Sequence, residues 1–270
     1  MKTTDLLAAI QPYVDILADR WPGLILSTVA WSVVFGLVCV LPAISGTSFD
    51  FRNRTVSILH AFLSAYLTLV LVLLETPCKI GGPNTRNQII VLNVSTGYFI
   101  YDYVACTLND VRKRHFDTMN FFHHLASLAG LLTGLINERS GAELGMCLFL
   151  MEVSNPFMHT IHLFRELGYN DAPVAEANKA LFAIIFTLAR VVGGPFLTYY
   201  TLVSPRTHWV IKAGALGILA VSFLWFSKIV AMLSKAFGGS EGKDKGGEKK
   251  RVDSKAEGFS PLRRAAAWRA

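Results

Sequence analysis

The residues of this chain that could do chemistry gather in a few apolar stretches. His123 and His124 stand side by side in the segment Phe121–Gly130, and Asp102 lies in the stretch before it. A carboxylate beside an imidazole orients the ring and raises its basicity, the arrangement that general acid–base or nucleophilic work needs. Adjacent residues on a helix point about 100° apart, so one of the two histidines can face an interior while the other faces a neighbouring helix or the headgroups. Glu152, Asn155, His159 and His162 follow at spacings of 0, +3, +7 and +10, which places them on one face of a helix. His60, Tyr98 and Arg190 add polar groups to three further apolar stretches. Glu152 and Arg190 are expected to pair near mid-membrane, because an unpaired charge there costs several kcal/mol or more.

Metal chemistry is not expected. His159-x-x-His162 with His123–His124 suggests a membrane di-iron centre, but such enzymes use three histidine boxes holding about eight histidines. This chain has seven histidines and no HxxHH. The four cysteines, Cys39, Cys78, Cys106 and Cys147, show no motif spacing, so neither disulfides nor a zinc site are expected.

Something must hold these groups inside apolar surroundings. The chain has 270 residues, 52% hydrophobic and 17% charged, and a mean hydropathy of +0.42. Its apolar residues come in runs of about 20, enough to cross a hydrocarbon core of about 30 Å. The expected fold is all-α: a polytopic transmembrane helical bundle of about seven spans (six or seven). The spans are read at 24–44, 56–74, 88–108, 119–136, 142–164, 178–203 and 209–233. The turn at 137–141 makes the fourth and fifth antiparallel neighbours. Gly193–Gly194–Pro195 should kink the sixth. Leu6, Leu7, Ile10, Tyr13, Val14 and Leu17 repeat at helical spacing, as in a short interfacial helix. Three regions follow: 1–50 with the interfacial helix and first span, 51–236 as the main transmembrane domain, and 237–270 as a disordered basic tail.

The net charge is +7. Between Ala236 and Ala270 nine Lys or Arg face five Asp or Glu, which places the tail in the cytosol beside anionic lipid. No stacking aromatics accompany that charge, so nucleic acid is not an expected partner; membrane lipids are. With this orientation His60, Asp102, His123, His124, His159 and His162 share one layer in the cytosolic half. Glu152 and Arg190 lie deeper.

Four stretches carry a resemblance: RNRTVSILHAFLSAY (Arg52–Tyr66), GYFIYDYV (Gly97–Val104), FFHHLASLAG (Phe121–Gly130) and MEVSNPFMH (Met151–His159). Together they resemble the TLC-domain family, which includes ceramide synthases, over roughly Phe51–Ala236. In ceramide synthases the histidine pair and an Asp-containing element on the next span are implicated in acyl transfer from acyl-CoA to a sphingoid base. Here His123 and His124 match the pair and Asp102 matches the family's Tyr-Asp motif. Met151–Glu152 stands where the ceramide synthase element would be, so the chain is closer to the small TLC-domain proteins. The resemblance implies a lipid-related role in an internal membrane, most often the endoplasmic reticulum.

Three readings follow. The leading one is lipid binding, trafficking or homeostasis through a polar cavity open to the cytosol, with no cofactor. His60, Tyr98, Glu152, Asn155, His159 and Arg190 would line that cavity. The second is an acyl-CoA-dependent acyltransferase with catalytic His123, His124 and Asp102, acyl-CoA being the substrate. The third is a chaperone or sorting factor for other membrane proteins.

Overall fold

The computed structural model describes residues 3–74 and 79–238. Cys78 and residues 239–270, nearly all of the expected tail, lie outside the described residues. Two compact units divide at Val230: residues 1–229 hold the bundle, and the second begins with the last turns of its final helix. The architecture is all-α. The helices are α1 (Thr3–Leu17), α2 (Arg20–Val40), α3 (Phe49–Thr68), α4 (Arg86–Lys113), α5 (Thr118–Ile136), α6 (Gly141–Glu152), α7 (Asn155–Glu166), α8 (Pro173–Phe186), α9 (Gly194–Val203) and α10 (Trp209–Gly238). π-helical turns extend α3 over Leu69–Leu73 and join α8 to α9 over Thr187–Gly193.

Among the described residues, five helical stretches are long and apolar enough to cross a membrane: Arg20–Val40, Phe49–Leu73, Arg86–Lys113, Pro173–Val203 and Trp209–Ala231. α5 is apolar but shorter. The single fifth span expected at 142–164 is two helices. They part at Val153–Ser154 because Pro156 has no N–H to give Glu152, four residues back, and its ring crowds that carbonyl. The kink expected at Gly193–Gly194–Pro195 takes the form of the π turn that precedes Pro195, which likewise cannot donate four residues back.

α4 is the most buried of the spans, although it is the least apolar of the five. Its polar residues have partners inside the protein. Asn93 Nδ2 donates to Leu17 O and Asp19 O, both at 2.9 Å, tying the end of α1 to the bundle. Ser95 Oγ meets Ser64 Oγ at 3.0 Å, and Trp31 Nε1 donates to Val94 O at 3.0 Å. Thr85 and Gln88 form a capping box at its N-terminus, and Arg112 and Lys113 lie in its last turn, where the helix dipole favours cations. α1 is further held by Asp15, which pairs with Arg86. That hydrogen bond keeps the Asp15 carboxyl below the usual carboxylate range. Ile10, Tyr13 and Ile16 of α1 stay exposed.

The turn Gly81–Asn84 latches onto the α5–α6 turn. Asn84 N–H donates to Glu138 O and Ser140 N–H to Gly82 O, both at 2.9 Å, and Asn84 Oδ1 accepts from Gly141 N–H at 2.7 Å. This fixes α5 and α6 beside α4, where their polar residues converge.

Candidate functional site: an intramembrane cavity

A cavity of about 1260 Å³ runs through the bundle between α10 and the helices α3 to α7 and α9. One wall is polar. His123 and His124, Asp102, Tyr98, Glu152, Asn155, His159, His162 and Arg190 all line it. The other wall is apolar and is built largely from α10, from Trp209 to Trp225. Sixteen residues of helix rise about 24 Å, most of the thickness of a hydrocarbon core. At one end the lining reaches Asp50, Lys113, His115 and Asp117, which are exposed. At the other it reaches buried Glu143.

The histidine pair is resolved into two roles. His124 is buried and its Nε2 lies 3.3 Å from Asp102 Oδ2. Asp102 Oδ1 accepts a hydrogen bond of 2.6 Å from Asn53 Nδ2, whose own Oδ1 accepts from Tyr101 O–H at 2.7 Å. The carboxylate is thus held at one oxygen and presents the other to the imidazole. His123 stands perpendicular to His124, with ring centroids 5.8 Å apart, and also lines the cavity. Both histidines line the cavity. α5 supplies both rings, with Phe122, to one cavity, while Leu125 on another face is exposed and does not line it.

Deeper, the expected Glu152–Arg190 ion pair is absent among the described residues. Asn155 stands between the two: its Nδ2 donates to Glu152 Oε2 at 3.0 Å and its Oδ1 accepts from Arg190 Nη2 at 2.7 Å. Arg190 Nη2 also donates to Met151 O at 2.6 Å, and the guanidinium lies 5.0 Å from the Phe186 ring centre and 6.0 Å from that of Trp225. Glu152 and Asn155 stand three residues apart, so the one-face spacing read in the sequence brings them together across the short break at Val153–Ser154.

His60 does not line the cavity. It is fully buried, stacked on Tyr98 at 3.7 Å and edge-on to Trp31, and its Nδ1 lies 3.8 Å from Glu152 Oε2. The layer reading therefore needs correction. It set Glu152 well below His60 by starting the second span at 56, whereas α3 begins seven residues earlier at Phe49, which carries His60 about 10 Å deeper, toward the level of Glu152. Tyr98 O–H donates to Ser57 Oγ at 2.8 Å, so its ring forms the boundary between His60 and the cavity.

His159 Nδ1 lies 3.3 Å from Arg54 Nη1 and accepts from it, which assigns the ring proton to Nε2. Arg54 and Asn53 belong to the site although the second span read from the sequence begins only at 56. The signal was Ser48 followed by Asp50, a helix start: Ser48 Oγ accepts from Phe51 N–H at 3.0 Å. Glu143 was also missed. Its carboxylate accepts from Gly81 N–H at 3.0 Å to each oxygen and from Thr207 O–H at 2.8 Å, closing the far end. Among the described residues no group of three or more His, Cys, Asp or Glu is placed to hold a metal ion.

The arrangement can hold an amphiphile, polar end against the histidine and arginine wall and chain along α10. A family model described as the TLC domain matches residues 50–231. Protein CLN8 of Mus musculus is 30% identical over 118 residues, 44% of this chain and 39% of that protein. Protein CLN8 of Homo sapiens is 29% identical over 118 residues, 44% of this chain and 40% of that protein. TLC domain-containing protein 1 of Gallus gallus is 25% identical over 218 residues, 77% of this chain and 84% of that protein. The chain thus spans about two fifths of the length of the CLN8 proteins it matches.

Proposed function

The chain belongs to the TLC domain family, and on that premise we propose that it binds a membrane lipid or acyl chain in its intramembrane cavity and acts in lipid homeostasis or trafficking. The observation that carries this is the cavity itself, one wall polar and the opposite wall apolar over about 24 Å of α10. An apolar lining with a few convergent polar groups is the character of a ligand site, and His123, His159 and Arg190 supply those groups here. The test is lipid retention: the protein is purified, reconstituted in nanodiscs of defined composition, and its bound lipids are extracted and weighed against empty nanodiscs. A stoichiometric lipid enriched over the bulk supports the reading. Bulk composition alone would sink it.

A second reading rests on His124 and Asp102. The imidazole is held by a buried carboxylate and faces a cavity that could admit a thioester, which suits acyl transfer from acyl-CoA. Acyl-CoA cannot cross lipid by its headgroup, so the exposed end near Lys113 and His115 would be cytosolic. The basic tail then lies on the same side by the positive-inside rule, and the endoplasmic reticulum is the proposed membrane. Labelled acyl-CoA with amine and lysophospholipid acceptors tests this reading. Product formation lost in His124→Ala but not in His60→Phe would establish it.

A further inference from the structure

We infer that Arg190 is the recognition point for an acidic head group, carboxylate or phosphate, of the amphiphile in the cavity. This rests on the lipid-pocket reading and goes beyond it by naming the ligand's charge and the residue that reads it.

Arg190 lines the cavity and is only 6% exposed. A guanidinium in a membrane span is strongly disfavoured unless neutralised. Among the described residues no carboxylate lies within ion-pair distance of it. Its protein partners are two neutral oxygens, Met151 O and Asn155 Oδ1, both taken by Nη2. Its Nε is buried without a hydrogen-bond partner. A guanidinium carries five N–H donors and forms charge-assisted hydrogen bonds to a carboxylate or phosphate. Here Nη2 is anchored, and the Phe186 and Trp225 rings flank the group. The remaining donors await an anion. Glu152 is kept one amide away by Asn155, so the site holds Arg190 in place without consuming its charge.

The rest of the cavity fits the chain of such a ligand. From Trp225 toward Trp209 the α10 wall carries Gly217 and Gly214, and a side chain at either would meet no atom within 4 Å. Open space therefore continues from Arg190 along an apolar wall, where a hydrocarbon chain can lie.

Trp225 reports on the site, its ring centre 6.0 Å from the guanidinium carbon. The full chain is placed in phosphatidylcholine nanodiscs at mildly alkaline pH and titrated with dibromostearate, its methyl ester, and a dibromostearoyl lysophosphatidic acid. Trp225→Phe defines the quenching that belongs to this residue. Dibromostearate is expected to quench Trp225 at concentrations at least about tenfold lower than the ester, the size expected of a charge-assisted hydrogen bond. Arg190→Gln is expected to erase that preference and Arg190→Lys to keep part of it. Tighter binding of the lysophosphatidic acid than of the fatty acid would assign the head as phosphate, and the reverse as carboxylate. Equal quenching by acid and ester in the unmodified protein overturns the proposal while leaving the lipid pocket intact, and needs no variant to fold. Preference retained in a folded Arg190→Gln protein overturns it equally. No quenching by any of the three overturns the pocket as well. Gly217→Phe, which fills the chain's path, is expected to abolish quenching by acid and ester alike, and unchanged quenching in that variant counts against the assigned path.

Discussion

Glu152 and Arg190 meet only through Asn155, whose amide gives one hydrogen to the carboxylate and takes one from the guanidinium. The bridge satisfies two buried charged groups with one neutral side chain. Asn155→Leu keeps the volume and removes both bonds. Each hydrogen bond to a charged group contributes roughly 1.5–3 kcal/mol, so a loss of about 3 kcal/mol is expected, lowering Tm by roughly 5–10 °C. Thermal unfolding in detergent checks it. A Tm unchanged within a degree or two would mean that water already carries both groups.

Asp102 and His124 support a second prediction. Asp102 Oδ1 is taken by Asn53 Nδ2 at 2.6 Å, leaving Oδ2 for the ring. Asp102→Asn must turn its own oxygen to Asn53 and so present an NH2 group to His124 Nε2. The ring then has to accept a hydrogen there, and its other nitrogen must carry the proton. If the protein transfers acyl groups, activity should fall about 100-fold or more, as for loss of a positioned acid–base group, while lipid retention persists. Radiolabelled product and extracted lipid are measured on the same preparation. Loss of both together would point to unfolding of the site instead.

Much of the site was legible before any coordinates. His123, His124 and Asp102 were grouped by residue type alone, and they do share one cavity. Polar side chains in apolar helices have few places to go, so their convergence follows from the cost of exposing them to lipid. What could not be read was relative depth. His60 and Glu152 have atoms 3.8 Å apart, and a count from a span starting at 56 leaves His60 about 10 Å too shallow, because α3 already begins at Phe49. Arg54 and Asn53 were misplaced because charges next to an apolar run look like loop, when a capping serine had already begun the helix.

Glu143 supports the third prediction. It sits in the first turn of α6 and joins three segments through Gly81 N–H and Thr207 O–H. The helix N-terminus favours its charge. Glu143→Ala leaves the buried Gly81 N–H without it, while Thr207 O–H can turn to Ser204 Oγ at 2.9 Å, and should cost about 1–3 kcal/mol, whereas Glu143→Gln keeps acceptors and should cost less than half of that. Thermal melts of the two variants decide the order. Equal destabilisation would mean that the charge matters and the hydrogen bonds do not.

The glycines give a prediction of sign. At Gly97 of α4, an added Cβ would lie 2.5 Å from Ser27 Cβ and 2.7 Å from Thr28 N. That is backbone, which cannot step aside without moving α2 off the face that receives Trp31. At Gly214 of α10 an added Cβ meets nothing within 4 Å. Both positions are helical, where alanine is intrinsically favoured over glycine by roughly 0.5–1 kcal/mol. Gly214→Ala is therefore expected to raise Tm by a degree or more, and Gly97→Ala to lower it, by several degrees if α2 shifts as a body. Overpacking of this kind costs typically 1–3 kcal/mol, more than the helix preference returns. The two melts are run side by side in one detergent. A fall at Gly214 would mean that α10 closes against the bundle there and that the cavity beside it is narrower than its 1260 Å³.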